Sequence, residues 1–355
     1  MLNKAINAQL TVNGDFEITV DVQSYLVDYN RPQMFTSTKK TIILPAGYEI
    51  LIGGKIYTNP NPVTLNVDDV GRQMQRVGQN IYLYACQGAG TDIVFKLSFN
   101  STVPYGYNEN NSRKIGGFHC LCSDVGTIAN HLLSGYVEGD ILPATCWDLI
   151  HRPRGQMEAM AYDERTDVWI SIYLLSWDGS KLVSTNNGVV ADGTSSKKWN
   201  GELFVEELAK LKMRLPHRYE FQVAAKGSNE ETNIKNSADA NITGNHFDTA
   251  NRRMISNLGL EDCCGFMWQW TEDIGATGDS GWTNSVYSSS VDDRRYGSSY
   301  GSLYRPLVGG DWDDGSGCGS RSVAVNVVSA AVLSYCGARG ACEPFLKNAL
   351  ERKSL

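Results

Sequence analysis

From Ser322 to Tyr335 the chain reads "SVAVNVVSAAVLSY", fourteen residues without a charge. Particular borders stand on both sides, "GGDWDDGSGCGSR" before the run and "CGARGAC" after it. Fourteen residues are too few to cross a bilayer as a helix. The obvious reading of such a run is a buried strand. A buried strand should carry large β-formers throughout. Here Ser, Ala and Asn interrupt the Val and Leu, which turns attention from the run itself to what holds it.

The rest of the chain is β-rich in character. Gly (35), Tyr (17) and Trp (8) are plentiful beside Pro (10), a composition of strands and turns. A length of 355 residues suggests two or three domains. The net charge is −7 and Lys and Arg form no basic stripe, so neither nucleic acid nor an anionic membrane is an expected partner. No window has the length of a membrane span. The first twenty residues lack a continuous apolar core, which predicts synthesis in the cytoplasm without a signal peptide. The nine cysteines include Cys120/Cys122 and Cys263/Cys264, neither with metal-site spacing. They are expected to be buried small hydrophobes, with pairing among Cys318, Cys336 and Cys342 left open.

Along the chain, "QLTVNGDFEITVDVQSYLV" alternates apolar and polar residues around an Asn13-Gly14 hairpin signal. "KTIILPAGYEILIGGKIYTN" continues in that style, with turns at Pro45–Gly47 and Gly53-Gly54. These thin strands predict an N-terminal oligomerisation module over 1–58, β-prism-like, too small to fold alone. A β-sandwich-like module is expected over 59–146, where "QNIYLYACQ" and "DIVFKLSFN" form adjacent antiparallel strands and "VPYGYNENNSRKIGG" a polar connection. The remainder, 147–355, begins with the strand–turn–strand "AMAYDERTDVWISIYLLSWDG". A helix follows over "NGELFVEELAKLKMRL", capped by Asn200, with Leu203, Leu208 and Leu211 on one face. A second helix is expected within "TANRRMISNLGL". The Ser/Tyr/Gly/Asp-rich stretch from Ala276 to Tyr304 has the composition of a recognition loop or of a plain surface loop.

The residues for catalysis do not assemble. His119, His131, His151, His217 and His246 show no metal-binding or relay spacing, and no nucleophile elbow or phosphate loop occurs. Asp311, Asp313 and Asp314 lie close together, but no Glu closes a calcium loop, so they read as an acidic turn. Asp292-Asp293 and Glu230-Glu231 read as solvated surface. No metal, cofactor or enzymatic activity is expected.

Every residue type in the Ser322–Tyr335 run is reachable from an AAC or AAT codon by changing its adenines alone, whereas Lys, Glu, Gln, Met and Trp are not, and none of those occurs there. The frame "GGDWDDGSGCGSR" followed by "GARGAC" resembles the variable region of proteins diversified by retroelements, the phage major tropism determinant family above all. There, an adenine-directed reverse transcriptase rewrites asparagine-type codons within such a frame. "NSRKIGGFHC", "GDILPATCWDL", "FQVAAKGSNEETNIKNSAD" and "NRRMISNLGLEDCCGFMWQW" also resemble family segments, so the likeness runs from about Tyr82 onward.

The resemblance implies a mainly β protein with a few helices (α+β), ending in a C-type-lectin domain at 147–355 whose variable region spans about 309–342. It implies a homotrimer at the tip of a viral tail fibre, with other tail-fibre components and a host-surface receptor, protein or glycan, as partners. It further implies that Asp311, Asp313, Asp314, Gly317, Val323, Ala324, Asn326, Val327, Ala331, Leu333 and Tyr335 point outward as the ligand-binding face. Trp312, Arg321, Gly337, Arg339 and Gly340 would be the scaffold beneath, Trp312 and Arg321 packed or hydrogen-bonded. Two positions depart from the pattern: Val325 stands where relatives keep an aromatic, and Cys336 replaces an aliphatic residue. The rival readings are a formylglycine-generating-type enzyme using Cys336 and Cys342, an invariant structural virion protein, and a cellular display protein.

Overall fold

The computed structural model describes residues 10–12, 16–18, 35–237, 241–276, 281–283 and 299–345. β1 (Leu10–Val12) and β2 (Phe16–Ile18) pair antiparallel, Val12 opposite Phe16, as the alternation predicts. The Asn13-Gly14 signal between them lies outside the described residues.

Chain order continues with β3 (Thr36–Ser37), β4 (Thr41–Leu44), β5 (Glu49–Ile52), β6 (Lys55–Thr58), β7 (Val63–Asn66) and the short helix α1 (Gln73–Arg76). β8 (Asn80–Gln87), β9 (Ile93–Ser98), β10 (Ser112–His119) and β11 (Trp147–Asp148) follow. They form a sheet of order β11-β10-β8-β9, and β10 starts inside the stretch expected to be a polar connection. β8 is buried on both faces: Ile81, Leu83 and Ala85 join one cluster, while Tyr82, Tyr84 and Cys86 form another. That is the period-two geometry of a strand.

The first of those clusters corrects the expected boundary at 58/59. Ile42, Leu44, Ile50, Ile52 and Tyr57 pack in one core with Ile81, Leu83, Phe95 and Ile115. The strands too thin to bury themselves are completed by β8 and β10, so this unit begins by Phe35. The boundary at 146/147 is also crossed, because Leu121, Cys122, Val125, Leu133 and Leu142 belong to the core of the C-terminal part.

That part holds β12 (Met160–Asp163), β13 (Val168–Ser171), β14 (Leu175–Trp177) and β15 (Leu182–Ser184), then α2 (Gly201–Lys210) and α3 (Arg218–Ala224). β16 (Trp268–Trp270), β17 (Gly275–Ala276), β18 (Trp282–Thr283), β19 (Ser299–Tyr300) and β20 (Leu303–Tyr304) come next. β21 (Leu307–Gly309), β22 (Gly319–Ala324), β23 (Cys336–Ala338) and β24 (Ala341–Cys342) complete the chain. The fold is mainly β with a few helices. Asn200 Oδ1 caps α2 by accepting from Leu203 N at 2.9 Å. The buried face of α2, Leu203, Phe204 and Leu208, packs with Trp169, Trp199 and Trp270. α3, which the sequence patterning did not signal, is started by Glu220, whose carboxylate accepts from His217 N at 2.7 Å.

No helix forms within 249–260. Asn251 and Gly259 are left-handed (φ 60° and 88°), and Asp248 Oδ1 accepts from Ala250 N and Arg252 N in a turn. Arg253, fully buried, donates from Nη2 to both Glu261 carboxylate oxygens at 2.7 and 2.8 Å. A buried ion pair thus takes a side chain that the helix would have left on its surface.

Two sheets meet at the C-terminus: β22-β21-β16-β23 and β12-β13-β24. Arg339, wholly buried, sits between β23 and β24 and ties them together. Its Nε donates to Gln269 Oε1 at 2.8 Å, and Nη1 donates to the carbonyls of Ser171 (3.1 Å) and Ile172 (2.6 Å). Nη2 donates to the Glu261 carbonyl. An arginine offers five N–H groups in a fixed fork, and here one fork closes β13, β16 and the 253–262 loop onto one point.

Beside it, His246 Nδ1 lies 3.0 Å from Asp262 Oδ1. Burial works against a charged imidazole, but the Asp262 carboxylate outweighs it and raises the His246 pKa above its ordinary 6.5. Burial also opposes ionisation of Asp262, and the His246 charge with the Gly244 N–H holds that pKa below 3.8.

Arg339→Met should orphan several buried acceptors at about 1–3 kcal/mol each, so chemical unfolding should show a loss above about 3 kcal/mol; a change within ordinary surface limits of about 0.5 kcal/mol contradicts this role. The His246–Asp262 pair stabilises fully below pH 6.5 on the histidine side and above pH 3.8 on the aspartate side. Its coupling, from a His246→Gln/Asp262→Asn cycle, should peak in that window, fade above it as His246 deprotonates and fade below it as Asp262 protonates. A coupling that is flat from about pH 3 to about pH 8 refutes the linkage.

Candidate functional site

The border before the charge-free run is built by backbone geometry that needs glycine. Gly309 and Gly310 have φ of 97° and 84°, and a Cβ at Gly309 would stand 2.4 Å from the Cys263 carbonyl oxygen. Side chains are strained at such φ, so this Gly-Gly turn delivers the chain to Trp312. Trp312 is half-buried against the cluster containing Ile234, Met254 and Phe266, and its carbonyl accepts from Asn233 Nδ2. Asp311, Asp313 and Asp314 form a turn that caps itself: Asp314 Oδ2 accepts from Asp311 N and Asp311 Oδ1 from Asp313 N, each at 2.8 Å. Partial burial, with the Asp314 and Asp313 charges, pushes the Asp311 pKa up to about 6 against the Asp313 N–H that lowers it.

The run itself is strand only as far as Ala324. In β22, Val323 lies opposite Val308 and Ala324 opposite Leu307. From Val325 to Tyr335 no strand forms, and only Ser329 is fully buried between Ser322 and Tyr335. A buried strand is therefore not what this segment is. Main-chain bonds hold it instead. Gly193 N donates to Leu333 O at 3.0 Å, Gly201 N to Ser329 O at 2.9 Å, and Trp268 N to Tyr335 O at 3.0 Å. In return Ser329 N donates to Leu303 O at 2.9 Å. Gly193 approaches so closely that a Cβ there would stand 2.5 Å from Leu333 N. None of these bonds uses a side chain of the run.

The side chains divide into two sets. Asp313, Asp314, Gly317 and Asn326 are exposed. Val323, Ala324, Val327, Ala331, Leu333 and Tyr335 are half-buried. Val323 leans on the core cluster containing Phe221 and Val308, and Ala324, Val327, Leu333 and Tyr335 lean on the one containing Trp199 and Trp270. The outward direction expected for these residues holds only in part, because the surface segment also roofs the core. The most open apolar side chains are ones outside the expected set: Val325 at 66 %, Val332 at 46 % and Val328 at 37 % exposure.

Among the expected scaffold residues, Arg339 is buried as described, and Gly337 and Gly340 are buried beside it, against Leu174 and Met213 respectively. Arg321 is not packed. It is exposed on β22, and the anchor of that strand lies elsewhere. Glu230, read from sequence as idle surface, accepts from Ser320 N at 3.1 Å and from the Ser320 hydroxyl at 2.5 Å, while Glu231 N donates to Cys318 O at 2.9 Å. No local pattern in the sequence signals a tether between residues ninety positions apart.

The cysteines are all buried and unpaired. Burial pushes the thiol of Cys336 well up and that of Cys342 up to about 11, the reverse of what a reactive thiolate requires. Of the Ser/Tyr-rich stretch, 277–280 and 284–298 lie outside the described residues. Its described parts form a ribbon, β17 with β20 and β18 with β19, that carries exposed Trp282 and Tyr300 in edge-to-face contact at 5.5 Å. Tyr304 bridges to Val328, so the ribbon adjoins the framed segment.

Comparison with known proteins places these features. Residues 32–148 match the family model described as the Mtd second domain, the unit whose core begins at Phe35. The tail fiber receptor-binding protein of Bordetella phage BPP-1 is 26% identical over 339 residues, covering 87% of this chain and 81% of the relative. Among solved structures, the Major Tropism Determinant U1 variant superposes with a TM-score of 0.71 at 25% identity, covering 88% of this chain and 84% of its own. The P3c variant gives 0.72 at 25% identity with the same coverage. In sequence over most of its length, in the segment 32–148 and in fold, the chain is similar to the phage major tropism determinants.

Proposed function

We propose that the chain is the receptor-binding protein of a viral tail fibre, that the segment from Asp311 to Tyr335 is its ligand-contacting face, and that a retroelement rewrites that face on a C-type-lectin scaffold. The observation that carries this reading is the mode of anchoring: Gly193, Gly201, Leu303 and Trp268 hold the segment through main-chain hydrogen bonds. A close-packed core registers even one added methylene. A backbone fixed from outside leaves its exposed side chains free to change without cost to the fold. Asp313, Asp314, Gly317 and Asn326 from the expected set fit this freedom, and Val325, Val328 and Val332 join them. The half-buried Val323, Ala324, Val327, Ala331, Leu333 and Tyr335, with Asp311, form the rim of the face, where size is limited by the core below.

An apolar patch exposed on a soluble protein marks a partner surface, and three exposed valines within one held segment supply apolar surface of that kind. The fibre tip carries the chain as a homotrimer, so that several modest sites engage one host surface and gain by avidity. Virion components bind the opposite end, and the receptor is a host-surface protein or glycan.

Val325→Ser, Val332→Ser and Asn326→Tyr should each leave unfolding free energy within about 0.5 kcal/mol of the parent while changing attachment of the full-length protein across a panel of candidate host strains. Attachment that is unchanged in all three folded variants refutes the assignment of the face; unfolding of all three refutes the anchoring on which it rests.

A further inference from the structure

A cavity of about 640 Å³ lies where the β8–β10 sheet meets the start of the C-terminal part, and none of its lining residues belongs to the 311–335 segment. Its volume and its place at a domain junction are those of a small-molecule site. Tyr82, Trp147 and Trp169 supply aromatic walls. The charges in the lining are unequal: Lys114, Arg152 and Lys181 against the single carboxylate of Glu158.

Glu158 is already engaged by uncharged donors. Tyr82 OH donates to its Oε1 at 2.6 Å and Asn80 Nδ2 to its Oε2 at 3.1 Å. Asn80 Oδ1 in turn accepts from His119 Nδ1 at 2.7 Å, and His119 Nε2 accepts from Tyr173 OH at 3.0 Å. Burial lowers the His119 pKa to about 3, so this chain is neutral apart from its carboxylate. Among the cations, Lys114 is spent on the Ser101 carbonyl at 2.8 Å. Arg152 stacks its guanidinium 4.0 Å from the Phe345 ring centre, and its Nε is buried with no hydrogen-bond partner among the described residues. A buried donor without a partner costs about 1–3 kcal/mol, and Arg152 carries that unmet demand in the cavity lining.

We propose that this cavity binds a small ring-bodied carboxylate, its ring against the Tyr82 and Trp147 side chains and its acid group taken by Arg152 with Lys181. A uronic acid of a surface polysaccharide and a free aromatic acid share this chemistry, and the test separates them.

The full-length protein is titrated with sodium glucuronate, sodium benzoate and glucose, followed by calorimetry and by tryptophan fluorescence, since Trp147 and Trp169 line the cavity. At least one carboxylate should saturate with a Kd on the order of 1 mM, and glucose should bind at least about tenfold more weakly. Glucuronate alone identifies the sugar acid, benzoate alone the aromatic one. Arg152→Gln should weaken binding about tenfold or more. Lys181→Gln provides the same readout on an exposed turn where folding is not at stake. No saturable response to either carboxylate up to about 20 mM, equal binding of glucose, or a Lys181→Gln variant that binds like the parent overturns the proposal.

Discussion

The guanidinium of Arg339 is the point on which the C-terminal part depends. It meets four acceptors, Gln269 Oε1 and the carbonyls of Ser171, Ile172 and Glu261, all without formal charge. Carbonyls at those positions lie where strands end or turn, and buried main-chain groups without partners are costly. One side chain therefore allows β13, β16, β23 and β24 to end together inside the protein. Only arginine has enough donors in a rigid plane to serve them. The adjoining Arg253–Glu261 and His246–Asp262 pairs extend the same arrangement outward.

What this interior makes possible is a division of labour along the chain. Of the elements joined by Arg339, β16 holds the 325–335 segment through Trp268 N at its head, while Leu303 O from the ribbon and Gly201 N at the start of α2 hold it from elements packed around them. Because these contacts are main chain to main chain, the fold is stabilised by the segment's backbone and is indifferent to its exposed side chains. The half-buried members are the exception. Leu333 and Tyr335 lean on the Trp199–Trp270 core, so a small or apolar residue there has a packing reason beside any binding role.

Much of this was legible in the sequence. Local patterns were reliable where one element decides its own fate: the Asn200 cap and apolar face of α2, the β8–β9 pairing, and the strand–turn–strand of β12 and β13. The framed segment was legible through its borders and its resemblance to a known family, and Gly309-Gly310 and Arg339 have geometric reasons to be what they are. Long-range closure was not legible. The 58/59 boundary fails because turn signals cannot show that Ile50 and Tyr57 share a core with Leu83. The expected helix at 249–260 fails because Glu261 captures Arg253. Arg321 looked like scaffold from its place in the border, whereas the tether of β22 is Glu230, ninety residues before Ser320.

The measurement that tests the central claim most directly is sequencing of the gene's 3′ end across a natural population, reading codons as well as residues. A segment anchored by its backbone and rewritten at its exposed side chains predicts that changes cluster between Asp311 and Tyr335, trace to AAC or AAT codons, and include the exposed Val325, Asn326, Val328 and Val332. It also predicts that Gly309, Gly310, Trp312, Gly337, Arg339 and Gly340 are spared. Changes spread evenly along the chain, or a segment as invariant as Arg339 itself, would contradict a rewritten binding face and leave a fixed surface on the same scaffold.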